Sequence, residues 1–413
     1  MTRHVVVMVT SSYPRFPGDS VGTFMEPIAM SVAARGHEVH VVAPWHPLVT
    51  RASEENGVHF HFYKYAPSPR LNVFGYAAAL RADVSLKAAA YIAAPLALAA
   101  GWRTARAVAR NYRATVMHGH WVIPGGVVAA AAAPGLPLVV SLHGSDVYIA
   151  ETVWPARRAA GLVFRRAGAV TACSADLQQR AIALGARPDR VDVVPYGVDS
   201  NRFRPDPFVR ARRRASLGIA THTPLVFTAG RLVRKKGFEY LIDALAKIPQ
   251  EIDIQAAIAG AGDLETELRR RVEAAHIDYR VRFLGNLSQD EVAAWLATAD
   301  MVAVPSVRDS SGNVDGLPNI VLETMASGTP LITTRAGGIG SVVDHGRTGL
   351  VVPERDAAAL AQAVLTLARD PDERVRLGEA ARASVMARFG WEFVAGRFEA
   401  AYDRALAMTV PRR

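Results

Sequence analysis

Cysteine is nearly absent from this sequence, which contains Cys173 alone among 413 residues. A single cysteine excludes an internal disulfide, so we expect a reducing compartment such as the cytoplasm. The sequence also lacks an export signal at its start, where MTRHVVVMVTSSYP contains an apolar run of only five residues and no small-residue cleavage site. Both absences favour a cytoplasmic protein over a secreted one.

Long apolar runs are absent as well. Residues 88–100 form an apolar stretch of 13 residues that Pro95 interrupts, whereas a helix needs about 20 residues to span a bilayer. Residues 87–113 contain no acid and five basic residues, four of which follow at helical spacings: Arg103, Arg106, Arg110 and Arg113. This basic face favours peripheral binding to an anionic membrane surface. A solvated helix face explains the pattern equally well.

The sequence lacks two motifs, one that binds dinucleotides and one that binds a catalytic metal. The turn after the first expected strand lacks Gly-x-Gly-x-x-Gly, and the second strand ends in Ala-Pro-Trp instead of an acid, which argues against a dinucleotide dehydrogenase. The only Asp-x-Asp match is DPD at residues 370–372, between two helical patterns. We therefore expect neither a cofactor nor a catalytic metal. No set of base-stacking aromatic residues accompanies the arginines, so we expect no nucleic-acid binding.

The length and composition predict two globular α/β domains. Hydrophobic residues make up 50% of the chain and charged residues 21%, and 413 residues exceed one ordinary core. Apolar strands alternate with helices twice, which predicts two parallel sheets covered on both faces. The Pro- and Arg-rich segment SNRFRPDPFVRARRRASLG lies between the two alternations. We predict domains over residues 1–204 and 205–390, with a final helix over 391–413 that packs on the first domain.

The segment VDGLPNIVLETMASG contains two carboxylates, Asp315 and Glu323, around a Gly-Leu-Pro turn. Pro318 suits the first position of a helix, and Gly328 suits its end. The free amides and the positive dipole end of a helix start attract phosphate. The two carboxylates then need neutral partners, for which sugar hydroxyls are suitable.

Basic residues follow the first strand of the second domain in AGRLVRKKG, which contains Arg231 and Lys236. Charge-assisted hydrogen bonds from such side chains suit a diphosphate, although a solvated turn is the simpler alternative. Gly262 in AGAGDLE lies in another strand-to-helix turn and is a weak signal alone.

Histidines follow two strands of the first domain, His120 in HGHW and His143 in LHGSD, where Asp146 also lies. A lone histidine is more often structural, but two at strand ends near an aspartate favour a reaction centre. We interpret His118 as a packing or orienting residue.

These segments together resemble a known family. TAGRLVRKKG, IAGAGDLETEL, VRFLGNLSQDEV, VPSVRDSSGNVDGLPNIVLETMASGTPLI and AGGIGSVVDHGRTGLVVP are similar to the donor-binding half of the retaining glycosyltransferases of family 4. The resemblance extends to YPRFPGDSVGTF, HGHW, LHGSD, VVPYGVDSNRFRP and FGWEFVAGRFEAAYDRAL, and so spans nearly the whole chain. It implies an α/β GT-B fold, in which two Rossmann-like doubly wound domains face a central cleft.

The resemblance also implies a role for each matching residue. A diphosphate would be bound by cations and by backbone amides, the ribose by Glu323 and the donor sugar by Asp315, where the family usually has Glu. The implied donor-binding residues are Gly18, Gly22, Arg231, Lys236, Gly262, Asp315, Gly316, Leu317, Pro318 and Glu323. The implied catalytic residues are His120, Arg231, Lys236 and Asp315, and the implied acceptor-binding residues are His120, His143 and Asp146. Ser341 stands where the family usually has another Glu, so that contact is not carried over.

We therefore expect a metal-independent, retaining glycosyltransferase that moves a hexosyl group from a nucleoside diphosphate sugar to a hydroxyl of a lipid-linked glycan in cell-envelope or exopolysaccharide synthesis. The family implies front-face attack by the acceptor on an oxocarbenium-like centre. Two alternatives stay open: a GT-B epimerase that rearranges its donor alone, and a non-catalytic component of glycan assembly, which Ser341 slightly favours. We expect the acceptor pocket in loops such as residues 65–83, and no pattern identifies the base, sugar, acceptor or linkage.

Overall fold

The computed structural model describes residues 3–19, 21–66, 68, 72, 80, 81, 85, 86 and 88–409. Most of residues 65–83, in which we expect an acceptor pocket, lies outside this part. The chain divides into two compact units. The first comprises Met1–Gly197 with Trp391–Arg413, and the second comprises Val198–Gly390.

The first unit contains a large parallel sheet. Its strands are β1 (Val5–Val9), β2 (Glu38–Pro44), β3 (Glu54–Glu55), β4 (Val58–Tyr63), β5 (Leu80–Arg81), β6 (Ser85–Leu86), β7 (Val116–His120), β8 (Leu138–Leu142), β9 (Ala169–Ala172) and β10 (Val191–Val193). Eight of them pair in the order β10-β9-β8-β7-β1-β2-β4-β3, in which only β3 runs antiparallel to its neighbour, and β5 with β6 forms a separate antiparallel pair.

Helices connect these strands. They are α1 (Met25–Ala34), α2 (Ala88–Asn111), α3 (Val127–Ala132), α4 (Ser145–Thr152), α5 (Trp154–Arg166) and α6 (Ala175–Ala183). The central strand VVVMV is an apolar run because helices cover both faces of the sheet, and Val6, Val7 and Met8 are fully buried. Adjacent parallel strands end at one edge, so the residues that follow β1, β7 and β8 lie near one another.

The second unit contains a six-stranded parallel sheet. Its strands are β11 (Leu225–Ala229), β12 (Gln255–Ala259), β13 (Val281–Gly285), β14 (Met301–Val304), β15 (Leu331–Thr333) and β16 (Leu350–Val351). Its helices are α7 (Pro207–Leu217), α8 (Phe238–Ala246), α9 (Glu265–Ala274), α10 (Gln289–Thr298), α11 (Asn319–Ala326), α12 (Ala357–Arg369) and α13 (Pro371–Arg388).

The strand order β13-β12-β11-β14-β15-β16 places a switch point between β11 and β14. The chain proceeds outward from β11 on one side and from β14 on the other. Ligands of doubly wound sheets bind beyond the carboxyl ends of the strands at such a point. The basic turn that contains Arg231 follows β11, and the segment that contains Asp315 follows β14, so the topology brings both to this position.

Helix α11 begins one residue later than the sequence predicts. Pro318 has an extended conformation (φ −65°, ψ 127°) and precedes the first helical residue, Asn319, because its ψ lies outside the helical range. At the other end, Gly328 adopts the left-handed conformation expected after a helix (φ 66°). A capping box of Ser288 and Glu291 starts α10, as the pattern SQDE indicates.

The boundary between the units lies at Gly197, not at residue 204. Val198 forms an isolated parallel bridge with Gly390, and Phe203 is buried. Arg382 also donates a hydrogen bond to the carbonyl oxygen of Phe203, at 3.3 Å. The segment before Pro205 therefore belongs to the second unit, because its few apolar residues are buried there despite a polar, linker-like sequence.

The last helix, α14 (Trp391–Thr409), packs on the first unit. Nε of Arg35 in α1 donates to Glu399 at 2.8 Å. The Tyr402 hydroxyl lies 2.9 Å from Nδ1 of His118 on β7. The chain thus returns to the first unit after completing the second.

Helix α2 carries Arg103, Arg106 and Arg110. Arg113, which the sequence places on the same helical face, instead lies in the turn after Asn111 with a φ of 51°. The exposed residues of α2 change along the helix from apolar to basic, and they include Ile92, Leu96, Trp102, Arg103, Arg106 and Arg110. Among the helices in the described part of the chain, none is both long enough and apolar enough to cross a bilayer.

Candidate active site

The turn after β11 lies directly against the turn after β12. A Cβ on Gly262 would lie 2.5 Å from the carbonyl oxygen of Leu232, so only glycine permits this approach. The amide of Leu232 also donates to the carbonyl oxygen of Ala261, at 3.0 Å. Gly262 therefore positions the backbone next to Arg231, and the structure gives it a packing role beside the expected diphosphate site.

The basic turn continues into a short 3₁₀ turn, Arg234–Lys236, which ends at Gly237. Gly237 has a φ of 67°, and a Cβ there would lie 2.0 Å from the carbonyl oxygen of Pro305. This contact packs the turn against the segment that follows β14. The side chains of Lys235 and Lys236 then reach the same carboxylate, that of Asp315.

Asp315 forms ion pairs with both lysines. Nζ of Lys235 lies 3.1 Å from Oδ1, and Nζ of Lys236 lies 2.6 Å from Oδ2. Burial alone would raise the pKa of the Asp315 carboxyl. The two ammonium groups, together with the Arg231 guanidinium, hold this pKa well below its ordinary value. Asp315 is therefore a carboxylate at neutral pH.

The backbone after Asp315 forms the start of α11. Gly316 and Leu317 are buried, and α11 follows directly after Pro318. Within the described part of the chain, the amides of Gly316 and Leu317 donate to no other group. Peptide N–H groups without a partner next to a helix start bind anions, because both the hydrogen-bond donors and the helix dipole favour negative charge.

Glu323 lies one turn into α11 and is buried, with 8% of its surface exposed. Burial raises the pKa of its carboxyl to about 7, against the opposing influence of Arg202 and Lys236. Near neutral pH the group therefore exists in both protonation states. Asp315 and Glu323 thus differ in charge near neutral pH, because two ammonium groups contact only Asp315.

Ser341 lies in a 3₁₀ turn, Ile339–Ser341, and its hydroxyl donates to the carbonyl oxygen of Gly338 at 2.6 Å. The hydroxyl thus stabilises its own turn.

The histidines of the first unit form a buried chain. Nδ1 of His120 lies 3.2 Å from Nε2 of His143, and Nδ1 of His143 lies 2.8 Å from the hydroxyl of Tyr196. Burial lowers the pKa of His120 to about 3. Burial also lowers the pKa of His143 well below its ordinary value, with a further contribution from His120. Both imidazoles are therefore neutral at neutral pH, so they can exchange hydrogen bonds but not carry charge.

His118 belongs to a second buried chain. Its Nε2 lies 2.7 Å from Oγ of Ser141, which in turn lies 2.6 Å from Oγ1 of Thr171. With the Tyr402 contact, these bonds satisfy both ring nitrogens. The arrangement agrees with the packing and orienting role expected for His118.

Asp146 binds backbone amides. Its carboxylate accepts hydrogen bonds from the N–H groups of Val122 at 2.7 Å, Gly144 at 2.9 Å and His143 at 3.3 Å. Burial raises the pKa of this carboxyl, and the backbone hydrogen bonds oppose the rise. Asp146 therefore joins the turns after β7 and β8, whereas its expected contact with the acceptor stays a prediction.

The glycine loop lies before α1. Gly18 and Gly22 have left-handed φ values of 85° and 68°. Phe24, just after the loop, stacks on Tyr196 with ring centroids 4.8 Å apart, and lies equally close to His143. The aromatic contacts therefore connect the glycine loop to the histidine chain.

Comparison with known proteins identifies the family. Residues 209–384 match the family described as Glycosyl transferases group 1, and residues 21–202 match Glycosyltransferase Family 4. A D-inositol 3-phosphate glycosyltransferase from Pseudarthrobacter chlorophenolicus is 34% identical over 72% of this chain and 74% of its own length. The chain belongs to the family 4 glycosyltransferases.

A second relative of this glycosyltransferase is named a GDP-mannose-dependent alpha-(1-6)-phosphatidylinositol monomannoside mannosyltransferase, from Mycobacterium tuberculosis. The two are 35% identical over 63% of this chain and 68% of the relative. A crystal structure from Anabaena, in complex with UDP, superposes with a TM-score of 0.76 at 22% identity and covers 97% of this chain and 99% of its own. The predicted α/β GT-B fold with two Rossmann-like domains is confirmed.

Within this glycosyltransferase, the structure brings the predicted residues together in two groups. The second unit gathers Arg231, Lys236, Gly262, Asp315, Gly316, Leu317, Pro318 and Glu323 around the switch point. The first unit gathers Gly18, Gly22, His120, His143 and Asp146 at the carboxyl ends of its strands. Their roles in binding and catalysis stay predictions.

Three residues that contact these groups were not predicted. Lys235 binds Asp315, and Tyr196 binds His143. Phe24 stacks on Tyr196 and lies against His143 with its ring tilted. The sequence feature that could have identified Lys235 is its position beside Lys236 in the same turn. No comparable sequence signal marks Tyr196, because its partner lies 53 residues earlier.

Proposed function

We propose that this glycosyltransferase moves a hexosyl group from a nucleoside diphosphate sugar to a hydroxyl of a lipid-linked or phosphate-bearing acceptor, with retention of anomeric configuration and without a metal. The observation that carries this proposal is the cluster around Asp315. A partly buried carboxylate lies between two ammonium groups, next to two peptide amides that precede α11 and have no partner within the described part of the chain. Such a cluster provides cations and amides that can donate hydrogen bonds to a phosphate. Within a few ångströms it also provides a carboxylate that can accept hydrogen bonds from sugar hydroxyls.

The second unit would bind the donor. Arg231, Lys236 and the amides of Gly316 and Leu317 would hold the diphosphate, with Gly262 shaping the turn and Pro318 setting the helix start. The Glu323 carboxylate would accept hydrogen bonds from the ribose hydroxyls, and Asp315 from hydroxyls of the sugar. Because these groups are fixed before the reaction, they stabilise the charge that develops on the leaving group at little cost of reorganisation.

The first unit would bind the acceptor near the glycine loop. His120, neutral at the pH of the reaction, would orient the acceptor hydroxyl through a hydrogen bond, and His143 would orient His120. The bond between the anomeric carbon and the diphosphate oxygen breaks, and its electron pair leaves on the diphosphate. The acceptor oxygen forms the new bond on the same face, and its proton passes to the departing phosphate oxygen.

The cations and the helix dipole would replace a metal at the leaving group. The only Asp-x-Asp segment supports this proposal, since Asp370 accepts a hydrogen bond from the amide of Glu373 at 2.9 Å and so caps α13. These carboxylates stabilise a helix start in the structure.

The names of the two relatives guide the choice of substrates. One name refers to D-inositol 3-phosphate, and the other to GDP-mannose and phosphatidylinositol monomannoside. We propose GDP-mannose, UDP-glucose and ADP-glucose as donors to test, with phosphorylated inositol and lipid-linked glycans as acceptors.

We also propose a cytoplasmic enzyme that binds the inner membrane surface through α2 and the turn that follows it. Exposed Ile92, Leu96 and Trp102 supply apolar contacts, and Arg103, Arg106, Arg110 and Arg113 supply positive charge. A lipid-linked acceptor would then be bound where it is displayed.

A donor screen tests the proposed activity. Binding of the three sugar nucleotides raises the melting temperature if the native state binds them. The donor that binds is then incubated with and without acceptors in the presence of EDTA, and NMR reports the anomeric configuration of the product. Transfer with retention supports the proposal, whereas a rearranged donor without acceptor indicates an epimerase. Binding without turnover for any acceptor indicates a non-catalytic component.

A further inference from the structure

Lys235 is a buried lysine in the turn that precedes α8. Only 6% of its side chain is exposed, compared with 14% for Lys236, and both ammonium groups contact Asp315. Burying an ammonium group is costly unless it is paired with a carboxylate or other acceptors. A solvated turn would leave this side chain in water. Its burial therefore indicates that the contact with Asp315 has a role in the site.

The two lysines contact different oxygens of the same carboxylate. Lys235 contacts Oδ1 and Lys236 contacts Oδ2. A diphosphate carries more negative charge than one carboxylate and attracts Lys236 more strongly, so donor binding draws Lys236 away from Oδ2. That oxygen then becomes available to accept a hydrogen bond from the donor sugar.

On the basis of the proposed function, we propose that Lys235 is a positioning residue for the donor sugar. It holds Oδ1 of Asp315 while Lys236 moves to the diphosphate, so that Asp315 stays in place with Oδ2 directed at the sugar. A short aspartate needs such an anchor, because it reaches one methylene less far than glutamate and has little freedom to adjust.

The main chain fixes Lys235 for this task. Its carbonyl oxygen accepts a hydrogen bond from the amide of Val307 at 2.9 Å, and Gly237 packs the same turn against Pro305. On the other side, a Cβ on Gly337 would lie 1.9 Å from the carbonyl oxygen of Asp315, so that backbone is closely packed too. Both partners of the ion pair are therefore held by their backbones.

The test compares each nucleoside diphosphate with its sugar derivative. Dissociation constants are measured by calorimetry for UDP and UDP-glucose, GDP and GDP-mannose, and ADP and ADP-glucose, and the pair that binds best is used. We expect Lys235→Met to reduce the preference for the sugar derivative about 10-fold to 100-fold, the value of a hydrogen bond to a charged group. Arg234→Met removes a neighbouring charge that pairs with Glu267, and should weaken both ligands equally.

A double-mutant cycle shows whether Lys235 acts through Asp315. We expect Asp315→Asn to lose the same preference, and Lys235→Met to change nothing further in that background. We expect Lys235→Arg to restore most of the preference.

Three results would overturn this inference. The first is that the preference stays at its original value in Lys235→Met. The second is that Lys235→Met has its full effect in the Asp315→Asn background. The third is that Lys235→Met weakens both ligands equally, which assigns Lys235 to the phosphates or to stability. These results differ from failure of the proposed function, in which the unaltered protein binds none of the six nucleotides.

Discussion

The hydroxyl of Tyr196 and Nδ1 of His143 are joined by a hydrogen bond of 2.8 Å. His143 in turn contacts Nδ1 of His120, whose Nε2 is buried and has no partner among the described residues. A buried nitrogen without a partner is costly. Tyr196 therefore holds in place a chain that ends in an unused hydrogen-bonding atom, which suits the acceptor hydroxyl of the proposed reaction.

We expect Tyr196→Phe to lower kcat for transfer about 10-fold, because His143 then loses the contact that fixes its ring. The dissociation constant of the donor should stay within about 2-fold of its original value, because the residues proposed to hold the diphosphate and the ribose lie in the second unit. Steady-state kinetics and calorimetry check the two values. Tyr148→Phe is the matched control, since the hydroxyl of Tyr148 makes no hydrogen bond within the described part of the chain. Equal losses in both variants would contradict the role given to Tyr196.

Glu323→Gln should make the unliganded protein more stable at neutral and alkaline pH. The pKa of Glu323 is about 7 in the folded protein and 4.5 when unperturbed. The folded state therefore binds more protons between these values, and wild-type stability falls as pH rises from about 4.5 to 7. A glutamine carries no charge and avoids this fall, so the variant gains up to about 3 kcal/mol above pH 7 and nothing below pH 4. Urea unfolding across pH 4–9 measures the difference.

The same substitution should weaken donor binding about 10-fold to 100-fold, since ribose hydroxyls lose hydrogen bonds to a charged group. Donor affinity of the wild type should also fall as pH drops below 7, because the carboxyl must release its proton to accept both hydroxyls. Calorimetry at several pH values follows this dependence, which should be absent in Glu323→Gln. Unchanged affinity in the variant would show that Glu323 does not contact the donor.

Gly337→Ala should disturb the donor site through the backbone. A Cβ there would lie 1.9 Å from the carbonyl oxygen of Asp315, in a residue with a φ of 58°. We expect a loss of about 2–4 kcal/mol in stability from strain and overpacking together, with weaker donor binding. Gly346→Ala is the matched control, because Gly346 has a φ of 74° and nothing within 4 Å of its Cβ position. It should cost about 1 kcal/mol and leave donor affinity unchanged.

Charge reversal on α2 and the turn that follows it tests the proposed membrane contact. Arg103, Arg110 and Arg113 are changed to Glu together, and Arg106 is kept because it donates to the carbonyl oxygen of Ala132 at 3.3 Å. We expect flotation with phosphatidylglycerol vesicles to be lost, since each basic residue near an anionic surface contributes about 1 kcal/mol. Reversal of Arg212, Arg270 and Arg369, which are exposed in the second unit, controls for net charge. Equal binding by both triple variants would remove α2 from the membrane proposal.

The sequence predicts the architecture well because strands such as VVVMV are buried on both faces and read as apolar runs. The helix start at Pro318 and the capping box at Ser288 depend on neighbouring residues, so local patterns identify them within one residue. The unit boundary was misplaced because the burial of Phe203 depends on distant contacts. Sequence composition cannot show where an isolated aromatic residue packs.

The sequence identifies the main residues of the candidate site, but not the contacts between them. Arg231, Lys236, Asp315 and Glu323 follow from strand ends and from a family resemblance, and the structure groups them. The pairing of Lys235 with Asp315 joins residues 80 positions apart, and it depends on the packing of Gly237 against Pro305. The pKa of Glu323 likewise depends on burial in three dimensions, which no local pattern reports.

Helix α14 follows the second unit in the sequence, yet Tyr402 binds His118 in the centre of the first sheet. During synthesis, residues 198–390 leave the ribosome before this helix does. The face of the first sheet that α14 covers therefore stays exposed while the second unit is synthesised. The hydrogen bond that orients His118 beside the proposed reaction centre therefore forms only after residues 198–390 have been synthesised.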